Sequence, residues 1–120
     1  MGNFHKMEVW KDSKSLAVKI YKATSKGKFV NDISFRDQIR KAAISVPSNL
    51  AEGENSGSDK GSIRYFNIAS ASLAELRTQL EIAKEVGYIR DSDYKQFEDF
   101  SLVLAKRIIR LIQFRKNKIS

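Results

Sequence analysis

The sequence predicts an all-α protein: an antiparallel, up-down-up-down four-helix bundle in one domain spanning residues 1–120. Three observations carry this expectation. Apolar residues recur at three- and four-residue spacing along most of the chain, and no stretch alternates as a strand would. The interruptions are short and rich in Gly, Ser, Asn and Asp, as loops between neighbouring helices are. At 120 residues the chain has room for one modest core, and four amphipathic stripes on short connections bury best against one another.

The first helix is expected over about 8–25. Trp10, Ala17, Ile20, Tyr21 and Thr24 share one face, with Leu16 beside them. "KGKFVND" then breaks the pattern. Next, Ser34-Phe35-Arg36-Asp37 reads as a capping box, with Asp37 reaching back to the cap N–H and Ile33 as a hydrophobic staple. Phe35, Ile39, Ala42, Val46 and Leu50 continue as a stripe, giving a second helix over about 35–52 with Gly53 as its stop.

That stripe passes through Pro47, the only proline. Proline lacks the N–H and clashes with the carbonyl four residues back. The second helix is therefore expected to kink at Pro47 and to release the Ala43 carbonyl, with Ser48, Asn49 or a water as its partner. "GENSGSDKGS" is the clearest loop, and Ser58 is a fitting N-cap. Ile63, Phe66, Ala69, Leu73, Leu76, Leu80 and Ala83 define a third helix over about 59–86, stopped by Gly87. Asp91 or Ser92 caps a fourth, over about 92–115, whose stripe is Phe97, Phe100, Leu104, Ile108 and Leu111.

The sequence has no cysteine, which excludes disulfides and thiolate zinc sites and fits a reducing, cytoplasmic setting. It shows neither a leader-like apolar stretch nor a bilayer-length one, so no membrane partner is expected. The net charge is +8, and it is clustered. Residues 1–30 hold seven lysines against Glu8 and Asp12, residues 31–99 are slightly acidic, and residues 100–120 hold six cations and no acid. A clustered excess fits either a polyanionic partner or a solvated, lysine-rich surface with a frayed tail. Up-down-up-down order places the basic end of the fourth helix beside the start of the first, merging the two clusters and favouring the polyanion. Lys11, Lys14, Lys22, Lys106, Arg107, Arg110, Arg115 and Lys116 are the candidate phosphate-binding residues.

A second, polar seam runs along the central hairpin. Gln38, Ser45, Asn49 and Glu52 on the second helix match Ser72, Glu75 and Gln79 on the third, flanked by Ile68 and Ile82. Half-buried polar groups are costly unless paired. The seam and Pro47 therefore read either as a subunit interface or as a kink that fits the core, with Ser and Asn simply exposed.

Catalytic chemistry lacks its parts. Glu52 and Glu75 are candidate inward carboxylates, but no helix carries a histidine to complete a di-metal site; the only one, His5, reads as a solvated terminal residue. Arg40, at the level of Glu75 across the hairpin, is the expected partner of that carboxylate. There is no cysteine, nor an internal histidine to activate a serine. "GENSGSDKGS" lacks the Gly-Lys-Ser/Thr ending of a phosphate loop. No cofactor and no enzymatic activity are expected. Tyr21, Tyr65 and Phe114 lie near basic residues; Tyr21 fits the core stripe, and Phe114 reads as a terminal core plug ahead of the alternative, a surface on which a base stacks, so binding dominated by phosphate contacts is expected.

"QIRKAAISVPSNLAEG" followed by "YFNIASASLAELRTQLEIAKEVGYI" resembles the four-helix bundle proteins encoded by intervening sequences within bacterial 23S rRNA genes. The matching positions are Gln38, Arg40, Ser45, Pro47, Ser48, Asn49, Ala51, Glu52, Gly53, Ser72, Glu75, Leu76, Gln79 and Leu80. "EVWKDSKSLAVKIYKAT" is similar to the family's first helix, so the likeness covers nearly the whole chain. Val30 stands where the family usually has proline, and "KGSIRYF" departs at the start of the third helix. The resemblance implies a bundle that assembles as a homo-oligomeric ring, commonly a pentamer. It also implies kinship with the accessory proteins of diversity-generating retroelements, which are basic pentameric barrels that bind nucleic acid and work with a reverse transcriptase. The expected function is thus non-catalytic association with RNA, ribosomal RNA included, ahead of DNA. The alternative is a structural or protein-interaction scaffold with no nucleic-acid role.

Overall fold

The computed structural model describes residues 3–119; residues 1, 2 and 120 of the expected domain lie outside them. Four helices make up the body: α1 (Glu8–Ala23), α2 (Ile33–Glu54), α3 (Asp59–Glu85) and α4 (Asp91–Ile119). Short 3-10 turns at Phe4–Lys6 and Gly27–Asn31 precede α1 and α2. The bundle measures 47 × 21 × 20 Å, its long axis set by the 29 residues of α4 at about 1.5 Å rise each.

Contacts between helices fix the order and direction. Thr24 meets Arg40, Ser45 meets Ser72, Arg77 meets Glu98 and Asp12 meets Arg107. Lys19 lies over Phe100 while Asp12 pairs with Arg107, so α1 and α4 run antiparallel. Each helix packs on its chain neighbours and α4 closes on α1; among the described residues the backbones of the diagonal pairs stay apart, and α2 meets α4 through the Glu54–Arg115 ion pair. This is the expected up-down-up-down bundle.

The apolar stripes meet along its axis. Leu16, Ile20, Ile39, Val46, Leu50, Phe66, Leu73, Leu76, Leu104 and Ile108 are buried. Two expected core positions change. Tyr21 is 39% exposed, because its ring lies against the Arg40 guanidinium instead of entering the core. Phe114 is 51% exposed and plugs nothing. Conversely Phe29, which belongs to no stripe, is buried. The Gly27–Asn31 turn drops it into the pole of the bundle, stacked on Phe35 and edge-on to Tyr88 at 5.2 Å. The Tyr88 hydroxyl donates to Asp32 at 2.8 Å, tying the α3–α4 turn to the start of α2.

Helix ends follow ordinary capping physics, with corrections. The N-cap of α2 is Asp32, which accepts the Phe35 N–H at 3.3 Å. The Ser34 capping box does not form: Asp37 is exposed and pairs with Arg36, and Ile33 is 58% exposed instead of acting as a staple. Asp32 wins because it stands ahead of the first turn with a short carboxylate. Ser58 caps α3 as expected, accepting from the Gly61 N–H at 3.0 Å. Gly87, at φ +81°, ends α3 as expected: Tyr88 N–H donates to Ala83 at 2.8 Å and Gly87 N–H to Lys84 at 3.0 Å, both to carbonyls. Asp91 lies in the first turn of α4 and not ahead of it, where its charge favours the helix dipole.

The α2 helix is unbroken through Pro47, which is buried. Asn49 Nδ2 donates to the Ser45 carbonyl at 2.8 Å, not to the freed Ala43 carbonyl, and Ser48 is exposed. Gly53 does not stop the helix, which continues to Glu54. Its reason is space: a Cβ there would lie 2.6 Å from Phe66 Cε1 and 3.2 Å from the Ser62 carbonyl oxygen. The Ser62 hydroxyl donates to the Gly53 carbonyl at 2.7 Å, holding α2 and α3 at that distance.

Two outcomes follow. Because Phe66 is fully buried, Gly53→Ala must push the helices apart, destabilising the bundle by about 1–3 kcal/mol; urea unfolding with an unchanged m-value measures it. The phenols of Tyr88 and Tyr94 are both held above their usual range, Tyr88 chiefly by its bond to Asp32 and Tyr94 chiefly by burial and then by Glu98. A raised phenol stabilises the fold fully below the unfolded value, about pH 10, and loses that contribution as pH rises through the folded value. Urea midpoints therefore fall above about pH 10, and a Tyr88→Phe, Tyr94→Phe double variant flattens the fall.

Candidate nucleic-acid interface

Charge divides unevenly over the bundle. The helices α2 and α3 carry as many acids as cations, so the excess sits on α1, α4 and the connections. Within α4 the polarity is steep: Asp91, Asp93, Glu98 and Asp99 occupy its first part, and its last two-thirds hold six cations and no acid. This arrangement complements the helix dipole. Because α1 and α4 are antiparallel, the basic end of α4 stands beside Lys11 and Lys14 at the start of α1.

The structure sorts the eight candidate cations by what they already hold. Arg107 is engaged with Asp12 of α1. Arg115, only 23% exposed, bridges Glu54 at 2.8 Å and Asp59 at 3.0 Å, pinning α4 to both ends of the α2–α3 loop. Lys11 pairs with Glu8 at 3.3 Å, both exposed, which leaves much of its charge available because surface pairs are weak. Lys14 lies 5.1 Å from the Trp10 ring centre. Lys106, Arg110 and Lys116 are exposed and make no ion pair among the described residues. Lys106 and Arg110 are four residues apart on one row of α4; Lys116 is offset by about a quarter-turn.

Lys22 does not join this group. It stands at the opposite pole, with Lys19, Lys26 and Arg90 around a groove of about 530 Å3 walled by Tyr88 and Phe97. The spacing of Lys19 and Lys22 puts them on α1 but does not reveal that the α3–α4 turn brings Arg90 to them. At the first pole, Phe114 forms one wall of a concavity of about 380 Å3 with Met7, Val9, Leu111, Arg107 and Arg110. Lys118 Nζ lies 4.4 Å from the Phe114 ring centre. Phe114 also stands four residues from Arg110 and seven from Arg107, a spacing that places all three on one face of α4. His5 is exposed, as expected, yet its ring stacks on Phe4 at 4.2 Å and meets Trp10 edge-on.

The polar seam meets at one point and opens elsewhere. Ser45 and Ser72 hydroxyls lie 2.7 Å apart, and Asn49 Nδ2 donates to Ser45 Oγ at 3.0 Å. Gln79 is 8% exposed; its amide donates to Glu75 at 3.4 Å, and its buried Oε1 has no partner among the described residues. Gln38, Glu52 and Glu75 are exposed, so neither glutamate points inward. Arg40 does not reach Glu75. It turns to α1, donating to Thr24 Oγ1 at 2.8 Å, Ser25 Oγ at 3.1 Å and the Tyr21 carbonyl at 3.3 Å. Its position on the α1 side of α2 makes the other direction unreachable. Among the described residues no group of His, Cys, Asp and Glu could hold a metal, and no helix is long and apolar enough to cross a membrane.

The family model of the 23S rRNA-intervening sequence proteins matches residues 5–113. The chain belongs to that family. The match runs from the first 3-10 turn well into α4, so all four helices of this intervening-sequence protein are family structure. A solved relative has the same fold: the 1.70 Å crystal structure of a protein of unknown function from the S23 ribosomal protein family of Bacteroides thetaiotaomicron VPI-5482. It superposes with a TM-score of 0.78 at 26% identity, covering 88% of this chain and 95% of that one. No curated protein matches the sequence.

Proposed function

We propose that this intervening-sequence protein is a non-catalytic, self-assembling bundle that associates with nucleic acid through phosphate contacts, with RNA as the first ligand to test. The observation that carries the reading is the set of unpaired cations on α4. Lys106, Arg110 and Lys116 make no ion pair among the described residues, although Arg107 and Arg115 beside them are fully engaged. Cations needed only to close the bundle would be paired in this way; these three are left facing solvent. The family's connection to 23S rRNA supports RNA ahead of DNA.

Self-assembly has its own support on the α2–α3 face. Ile68 and Ile82 are 39% and 45% exposed beside a buried Gln79 oxygen that lacks a donor among the described residues. An orphaned acceptor costs free energy that a partner subunit's donor would recover. The homo-oligomer, a pentamer by family likeness, would bury this face and repeat the basic pole around a ring. A protein partner such as a reverse transcriptase would dock on the same assembly.

Fluorescence anisotropy with labelled RNA and DNA across a salt series tests the first part. The full protein binds with a steep negative salt slope. Replacing Lys106, Arg110 and Lys116 together by alanine reduces that slope by roughly 0.7–0.9 for each phosphate no longer neutralised. No binding at low salt would leave the protein-interaction scaffold as the function. Light scattering tests the second part: an Asn49→Ala, Gln79→Ala double variant lowers the assembly mass, and an unchanged mass would place the subunit contact elsewhere.

A further inference from the structure

Phe114 is an aromatic ring that the core does not use. It is 51% exposed, as are Ile109 and Ile119 on the same end of α4 at 59% and 47%, whereas Ile108 and Ile112 there are buried. One side of its environment is cationic, with Lys118 Nζ at 4.4 Å from the ring centre. It also walls a concavity of about 380 Å3 whose floor is apolar, with Met7, Val9 and Leu111, and whose rim carries Arg110. This volume lies within the roughly 300–1,000 Å3 typical of small-ligand sites. The acid on the rim, Glu8, is already paired with Lys11. A flat apolar group fits such a site if it arrives attached to negative charge.

We infer that Phe114 is a stacking platform for an unpaired nucleobase, with Arg110 receiving the adjoining phosphate, so that this pole prefers single-stranded nucleic acid over duplex. The inference deepens the phosphate-binding reading and rests on it. Phosphate contacts alone do not distinguish strands by their bases. An exposed ring in a cationic setting does, because an unpaired base can leave its neighbours and lie on the ring, while a base in a duplex cannot. Lys118 on the ring supports the same preference, since it sets a positive charge where a phosphate would pass. Arg107, held by Asp12, keeps the wall in place and is not itself a ligand.

The experiment uses the full chain with two fluorescein-labelled probes of equal length, an oligouridylate and an RNA duplex, at one salt concentration. Phe114→Ala weakens the oligouridylate on the order of ten- to a hundred-fold and leaves the duplex unchanged. Phe114→Trp keeps or tightens single-strand binding. The exposure of Phe114 means that neither variant disturbs the core, and thermal melting verifies this. Unchanged oligouridylate affinity in Phe114→Ala with normal duplex binding overturns the stacking role alone. Equal loss on both probes, with a fall in assembly mass, also overturns it and makes Phe114 a subunit contact. Absence of binding to either probe by the unaltered protein overturns the nucleic-acid reading and this inference together.

Discussion

The close approach of α2 to α3 is the constraint on which the rest of the bundle depends. At Gly53 the two helices are so near that one added carbon would strike a fully buried phenylalanine. Ser62 converts the proximity into a hydrogen bond, and Ser45 with Ser72 repeats the device farther along. Ala42 on α2 and Ala69 and Ala83 on α3 are buried small residues of the same two helices. Helix α4 then lies against a hairpin whose shape is already settled, anchored by Arg77 to Glu98 and by Arg115 across the α2–α3 loop. Helix α1 is held from the other side by Arg40 and Asp12. Widening the hairpin would move every one of these attachments.

The two poles are built differently, and this difference organises the surface. One pole is closed by aromatic packing: Phe29, Phe35 and Tyr88 meet there, locked by the bond from Tyr88 to Asp32. The other is closed by charge, with Arg107 and Arg115 reaching acids on three other segments. An ionic closure needs cations at the rim, and a helix that ends there accepts more of them because its terminal carbonyls are electron-rich. The cations of α4 that make no ion pair among the described residues are the surplus of that arrangement.

The four helices are legible in the sequence because their signal is local. A stripe at positions 39, 42, 46 and 50, a serine before α3 and a glycine after it each act within a turn or two. What stays hidden depends on direction around a helix axis or on distant segments. Level along the hairpin sets Arg40 against Glu75, yet its azimuth on α2 turns it toward Thr24. Arg107 and Arg115 look like free cations in a run with no acid, and their partners lie 95 and 61 residues away. Phe29 sits in a segment without periodicity, so nothing short of the folded pole shows that it is core. Phe114 misleads for the opposite reason: spacing sets it near the stripe, but α1 begins too late to cover it.

The concentration of charge at one pole also gives the molecule a long-axis dipole. A body 47 Å long whose excess is larger at the pole where α4 ends than at the pole of Lys19, Lys22, Lys26 and Arg90 feels a torque in the field of any polyanion, and turns before contact. Encounters therefore begin end-on, at the pole where α1 starts and α4 finishes. The gain is in the rate of association, because fewer collisions are wasted on the neutral flanks, and it shrinks as added salt shortens the reach of the field.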